Sequence, residues 1–265
     1  MLRYDLVRRY GGKKQIKEVT MLRGKNTLTT GAVIIMSFLC AIAQAQETAA
    51  HGKEGGGKGY FMLGGNIIDI KSLNSKLESK GYSKFSDNFI SFGGGGHGII
   101  GKVIIGGEGH TLIGEETTSG SYKSSIEAGY GFFNMGYLIY TTGVINVYPI
   151  LGLGAGGMSV KIIEKGTPSF DEVLDNPMDN PKKSVELSTG GFLLNLAFGA
   201  DYLLKFGGDE KGGGGLVFGL RIGYTFAPAK GDWEMDGIDI SGGPDVGITG
   251  PYVRLMVGGG GFGKE

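Results

Sequence analysis

Apolar and polar positions alternate with period two along most of this chain. The clearest stretch runs from Tyr122 to Ile163, where YKSSIEAGYGFFNMGYLIY passes through TTGVIN into VYPILGLGAGGMSVKI. β-Branched and aromatic residues with scattered glycines exclude a helix of that length and predict two strands joined at Thr141 to Ile145. In the first of them Ile126, Ala128, Tyr130 and Phe132 share one face, and Lys123, Ser125, Glu127, Gly129 and Gly131 the other.

The same alternation predicts six further strands: Tyr60 to Ile70, Phe89 to Ile100, Val103 to Ile113, Gly190 to Phe206, Leu216 to Phe226 and Ile248 to Phe262. Within Lys71 to Asn88 the period changes, because Leu73, Leu77 and Tyr82 are spaced as on a short amphipathic helix. Eight strands alternate between long connections, after the first, third, fifth and seventh, and shorter ones. That is an up-and-down meander with turns at one end and loops at the other, so the expected fold is all-β, an eight-stranded antiparallel barrel.

The faces then choose between water and lipid. The sixth strand sets Phe192, Leu194, Leu196, Phe198, Tyr202 and Leu204 against Gly191, Asn195, Gly199 and Asp201. The seventh sets Leu216, Phe218, Leu220, Ile222, Tyr224 and Phe226 against Gly219, Arg221 and Gly223, and the eighth sets Val253, Leu255 and Val257 against Tyr252, Arg254 and Met256. A soluble barrel needs a well-charged exterior. The second face has about one charge per strand and much glycine, so it suits a crowded interior, and the bulky face suits lipid in a transmembrane barrel. Closure satisfies every backbone group within the bilayer.

Composition adds export, excludes a disulfide and argues against one class of partner. Met21-Leu22-Arg23-Gly24-Lys25, the apolar run Gly31 to Ile42 and Ala43-Gln44-Ala45 match a cleavable signal peptide. The expected organisation is an upstream extension over 1–20, a signal peptide over 21–45, a flexible lead-in over 46–59 and the barrel over 60–262. The one cysteine, Cys40, lies in the signal, so the mature chain can form no disulfide. Residues 1–45 hold 8 Lys/Arg and 2 Asp/Glu; the remainder has 18 against 24, net −6, which argues against nucleic acid. The 54 glycines have no collagen-like period and sit inside the alternating runs.

Taken together, the signal, the eight alternating strands and the alternation of loop length resemble the small eight-stranded outer-membrane barrels of Gram-negative bacteria, the OmpA, OmpX and OmpW-like group of porin-family type. The resemblance covers roughly residues 60 to 262. It implies the bacterial outer membrane as location, and outer-membrane lipids and the outer-membrane assembly machinery as partners.

Three motif matches carry no chemistry. Gly52 to Lys58 fits GxxxxGK, but Gly59 stands where a magnesium-holding Ser or Thr belongs, and Gly152 to Gly157 fits GxGxxG inside a strand with no helix behind it. Asp232 to Gly237 resembles the start of a calcium loop, but its twelfth position is Gly243 and not a bidentate Glu. No metal or cofactor is expected.

By parity Glu108 and His110 on the third strand are expected to face inward with Lys123 and Glu127 on the fourth, joined by Asp201, Arg221 and Arg254 from the last three. Such charges must pair inside a narrow barrel, either as a rigidifying network or as the lining of a passage for a small-molecule solute. Gly93, Gly95, Gly106, Gly129, Gly131, Gly152, Gly154 and Gly156 are expected on the same inner face, thinning the wall, with Leu73, Leu77 and Tyr82 as a plug. The function expected is therefore a non-enzymatic barrel, structural or narrowly porin-like. The alternatives are an adhesion scaffold acting through its long loops and, last, a lipid-modifying enzyme, for which His110 has no serine partner in view.

Overall fold

The structure, a computed structural model, describes residues 55–263 apart from 143, 167–170, 172–173, 175–183 and 210–211. The expected extension, signal peptide and Cys40 lie outside the described residues, as does most of the acidic connection before Ser184.

Eight antiparallel strands form a closed ring: β1 (Gly55–Ile67), β2 (Asn88–Ile100), β3 (Val103–Ser119), β4 (Tyr122–Tyr137), β5 (Ile145–Glu164), β6 (Ser184–Asp209), β7 (Gly212–Lys230) and β8 (Gly250–Gly263). Each pairs with its sequence neighbours, and β1 closes the ring against β8 with Phe61 opposite Val257. The fold is an up-and-down barrel.

Several strand ends differ from the sequence expectation; besides those that follow, β6 starts at Ser184 and not Gly190, and β7 runs past Phe226 to Lys230. β1 starts at Gly55, so five residues of the expected lead-in are strand, paired to β2 and β8. Residues 114–119 are strand and not loop, because a bulge after Ile113 resets the register so that Glu116 meets Ser125 and Thr118 meets Lys123. The connection after β3 is therefore the tight turn 120–121. The expected connection 207–215 also shortens, since β6 runs to Asp209 and β7 starts at Gly212.

Outside and inside are inverted relative to a soluble protein. Ile90 and Leu255 are 62% and 61% exposed, whereas Arg221 and Arg254 are 0% and 1% exposed. Outward apolar stripes continue around the ring on Phe61 and Leu63, Ile105 and Ile113, Phe133 and Met135, Leu151 and Leu153, and the expected faces of β6 to β8. That belt is what a hydrocarbon solvent stabilises.

One strand faces the other way from expectation. On β4 Ile126, Ala128, Tyr130 and Phe132 are buried inside, and Lys123 and Glu127 point outward, as do Gly129 and Gly131. Register supplies the reason. Phe132 lies opposite Gly154 and Tyr130 opposite Gly156 on β5, so the inward glycines of one strand clear space for the aromatic rings of the next. The rule recurs: Gly93 faces His110, Gly95 faces Glu108, and Gly64 faces Arg254. A Cβ on Gly154 would collide with the Gly131 carbonyl and the Phe132 ring, and one on Gly64 with the Val253 carbonyl and Arg254.

The loop-bearing mouth is filled by apolar side chains. Helix α1 (Lys71–Ser79) lies in the β1–β2 connection and ends at Gly81, where φ is +81° and the Tyr82 amide donates to the Leu77 carbonyl at 3.0 Å. Its Leu73 and Leu77 join Ile68, Phe85, Phe89 and Trp233 in one buried cluster, and Tyr82 packs against it half-buried. The Asn74 side chain ties the helix down through the Phe85 amide and carbonyl, each at 2.9 Å. In the β7–β8 connection, residues 233–235 and 238–240 pair across a turn at Asp236 and Gly237, both with positive φ. The segment that resembled a calcium loop is thus a hairpin anchored by Trp233, whose indole donates to the Pro244 carbonyl at 2.8 Å.

Candidate functional site

Midway along the barrel, charged residues from three strands meet at one level. β3 contributes Glu108 and His110, β7 contributes Arg221, and β8 contributes Arg254. Pairing puts Arg221 directly opposite Arg254, an arrangement that repels unless an anion intervenes. Glu108 is that anion, reaching across the lumen from β3. One of its oxygens accepts from Arg221 Nη1; the other lies 3.4 Å from Arg254 Nη1 and 3.5 Å from His110 Nε2.

Tyrosines complete the shell. The Arg254 guanidinium sits 3.7 Å from the centroid of the Tyr252 ring, a stacked cation–π contact. Its Nη2 donates to the Tyr130 hydroxyl, to which Asn66 Nδ2 also donates at 3.3 Å. Arg221 Nη2 donates to the Tyr60 hydroxyl at 3.3 Å, and that hydroxyl lies 3.2 Å from His97 Nδ1. Tyr252 in turn donates to Asn195 Oδ1 at 3.0 Å. Nearer the turn end Lys58 pairs with Asp201, which also accepts from Asn146 Nδ2 at 3.0 Å.

Such a network is suited to holding the wall, because both guanidiniums are ion-paired, hydrogen-bonded and packed against aromatic faces. His110 touches Glu108, Arg254 and the Tyr130 ring, at 5.3 Å between centroids, and among the described residues no serine hydrogen-bonds to it. Its surroundings are therefore a carboxylate, a guanidinium and a phenol ring. At the mouth an enclosed crevice beside Gly156, Thr189, Leu193 and Val246 has about 10 Å³, room for one water.

Solved structures that resemble this chain include the following three. Two are crystal structures of Ail, the attachment invasion locus protein of Yersinia pestis. One has 11% identity and a TM-score of 0.37 over 79% of this chain and 98% of that one. The other, in complex with the heparin analogue sucrose octasulfate, has 10% identity and a TM-score of 0.38 over 80% and 99%. The third is the outer membrane protease OmpT from Escherichia coli, with 8% identity and a TM-score of 0.31 over 80% and 97%. No protein-family model matches the sequence, and no curated protein matches it.

Of the residues singled out in the sequence, the structure brings Glu108, His110, Arg221 and Arg254 into one cluster and sets Asp201 in a second with Lys58. Lys123 and Glu127 belong to neither. Lys123 pairs on the outside with Glu116 at 2.8 Å, and Glu127 is exposed. Leu73 and Leu77 are buried in an apolar cluster that continues onto the inward residues Ile126, Tyr130 and Phe132, and Tyr82 packs against it half-buried.

Sequence reasoning missed Lys58, Tyr60, His97 and Tyr130. Lys58 and Tyr60 share the inward parity of β1, but Lys58 fell in the stretch read as lead-in. Tyr130 was obscured because its hydrophobicity suggested lipid. The available signal was size, a run of glycines on β5 calling for large partners on β4.

Proposed function

We propose that this chain is a non-enzymatic barrel of a Gram-negative outer membrane whose interior is closed, and that it acts as a rigid structural element supporting the strands and loops at its mouth. The observation that carries this reading is the Arg221–Glu108–Arg254 bridge, fully buried where a passage would run, inside a wall whose outer side is apolar. A water-filled route needs lumen charges that keep contact with solvent; here they are spent on one another and on tyrosine hydroxyls. A narrow porin-like role is accordingly not the reading favoured by this geometry. Outer-membrane lipids are the partners the belt calls for, and the assembly machinery is needed to insert any such barrel.

Membrane fractionation with an unboiled gel tests the location. The expected result is an outer-membrane band whose mobility depends on heating, and a soluble periplasmic protein without that shift would overturn it. Planar-bilayer recording tests the interior. Quiet membranes are expected, and steady ohmic steps from the purified protein would replace the closed barrel with a pore.

A further inference from the structure

At the turn end of the ring, β7, β8 and β1 are almost without side chains. Residues 213–215, 258–261 and 55–59 include one residue other than glycine, Lys58. The three runs lie side by side in register. Gly57 stands opposite Gly261, which stands opposite Gly214; Gly59 stands opposite Gly259; and Lys58 stands opposite Gly260, which stands opposite Gly215. β1 and β8 are the first and last strands of the ring, so backbone pairing joins them with no hairpin turn between. Across the ring the same end is built differently, because Ile104 of β3, Leu138 just after β4, and Tyr148 and Ile150 of β5 form a buried apolar cluster.

Packing accounts for only part of this glycine. On the inner side a Cβ on Gly258 would strike the Gly59 carbonyl, and one on Gly260 would meet the Lys58 side chain at 2.8 Å. On the outer side a Cβ on Gly57 would come no nearer than 3.9 Å to the His97 carbonyl oxygen, one on Gly259 no nearer than 3.8 Å to that of Gly215, and one on Gly59 would meet nothing within 4 Å. Gly214 and Gly261 are tighter, at 3.4 and 3.2 Å from neighbouring carbonyl oxygens. Each glycine forgoes the cross-strand side-chain contact that stabilises a sheet and adds backbone freedom to the open state. A second observation lies directly behind the wall. Lys58 roots its buried ion pair with Asp201 in this corner, and Asp201 Oδ2 and His97 Nε2, on residues 3% and 5% exposed, have no hydrogen-bond partner among the described residues. Buried polar atoms of that kind call for water.

We propose that the corner formed by β7, β8 and β1 is a door: it separates locally at the turn end, admits water to Lys58, His97 and Asp201, and recloses, while the Arg221–Glu108–Arg254 bridge stays shut. This deepens the closed-barrel reading above and rests on it, since the lumen from the bridge to the mouth remains sealed. The part of a fold with the fewest side-chain contacts opens at the lowest free energy. The runs on β1 and β8 lie at the ends of those strands, and that on β7 lies beside its start, so backbone groups freed by opening reach water and not hydrocarbon. Opening there carries Lys58 off Asp201, and water then satisfies both charges and the unpartnered atoms beside them.

Hydrogen exchange of the full chain, folded in lipid nanodiscs and corrected for intrinsic rates, tests this. Amides of residues 56–59, 213–215 and 258–261 are expected to exchange about a hundredfold faster than those of residues 135–138 and 146–150, with Glu108, Arg221 and Arg254 as protected as the latter. Gly59→Val combined with Gly259→Val places a β-branched pair across the seam on the outer side, where there is room. It should slow the corner about tenfold and leave the comparison strands unchanged. Equal protection of the corner and the comparison strands, exchange as fast at Glu108 and Arg221 as at the corner, or no slowing in a double variant that keeps the heat-dependent gel shift would overturn the proposal. If the double variant loses that shift, the wild-type contrast decides alone. Failure of the closed-barrel reading is separately visible, as steady ohmic steps in planar bilayers.

Discussion

β4 and β7 alternate with the same period and turn opposite contents inward. β7 sends Leu216, Phe218, Leu220 and Ile222 to the outside and keeps Gly219, Arg221 and Gly223 within. β4 buries Ile126, Tyr130 and Phe132 and leaves Gly129 and Gly131 outside. Hydrophobicity alone predicts the first arrangement and fails on the second. What separates them is the neighbour: β5 offers Gly154 and Gly156 beside Phe132 and Tyr130, while β7 lies between the inward Asp201 of β6 and Arg254 and Met256 of β8. Across a narrow lumen the constraint is volume, so a large side chain sits inside where adjacent strands are bare.

The strongest way to break that comparison is to fill one of the bare positions. Gly154→Val should prevent folding, read as loss of the heat-modifiable band, because its side chain would have to occupy the space of Phe132 and the Gly131 carbonyl. A folded Gly154→Val barrel would overturn the inward placement of Phe132.

Next in size is Arg221→Leu. It strips Glu108 of its direct partner and leaves Arg254 to balance it, and breaking a buried pair costs about 3–5 kcal/mol. Denaturant unfolding in lipid should register that loss. A stability unchanged from wild type would mean that Arg221 does not face the lumen.

Leu73→Ala should cost about 2–4 kcal/mol from the cavity it leaves in the mouth cluster. Because the plug sits above the charged level, this variant should leave planar bilayers quiet. Conductance steps on Leu73→Ala would make α1 the seal and the ion network secondary.

The smallest expected effect is the most pointed. Glu127→Gln should change stability by less than about 0.5 kcal/mol, since an exposed, unpaired carboxylate contributes little to folding. Glu108→Gln on the neighbouring strand should be severe by comparison. Similar losses for the two would restore Glu127 to the interior and undo the reversed facing of β4.

The sequence by itself determined the eight strands, their antiparallel order and the inversion of belt and lumen on β6, β7 and β8. Period-two alternation is local, and on those strands one face is uniformly bulky while the other holds the charges. It also marked Glu108, His110, Asp201, Arg221 and Arg254 as inward. Only tertiary structure decided which face of β4 is inside, and with it the fates of Lys123, Glu127 and Tyr130. Alternation defines two faces without naming them, and β4 has bulk on one and charge on the other without stating which its neighbours can accommodate. The bulge after Ile113 and the glycines of β5 settle the matter, and both act through register, a relation between strands that no single strand encodes. Pairing inside the lumen was tertiary for the same reason: Arg221 and Glu108 stand 113 residues apart in sequence and meet only because the ring closes.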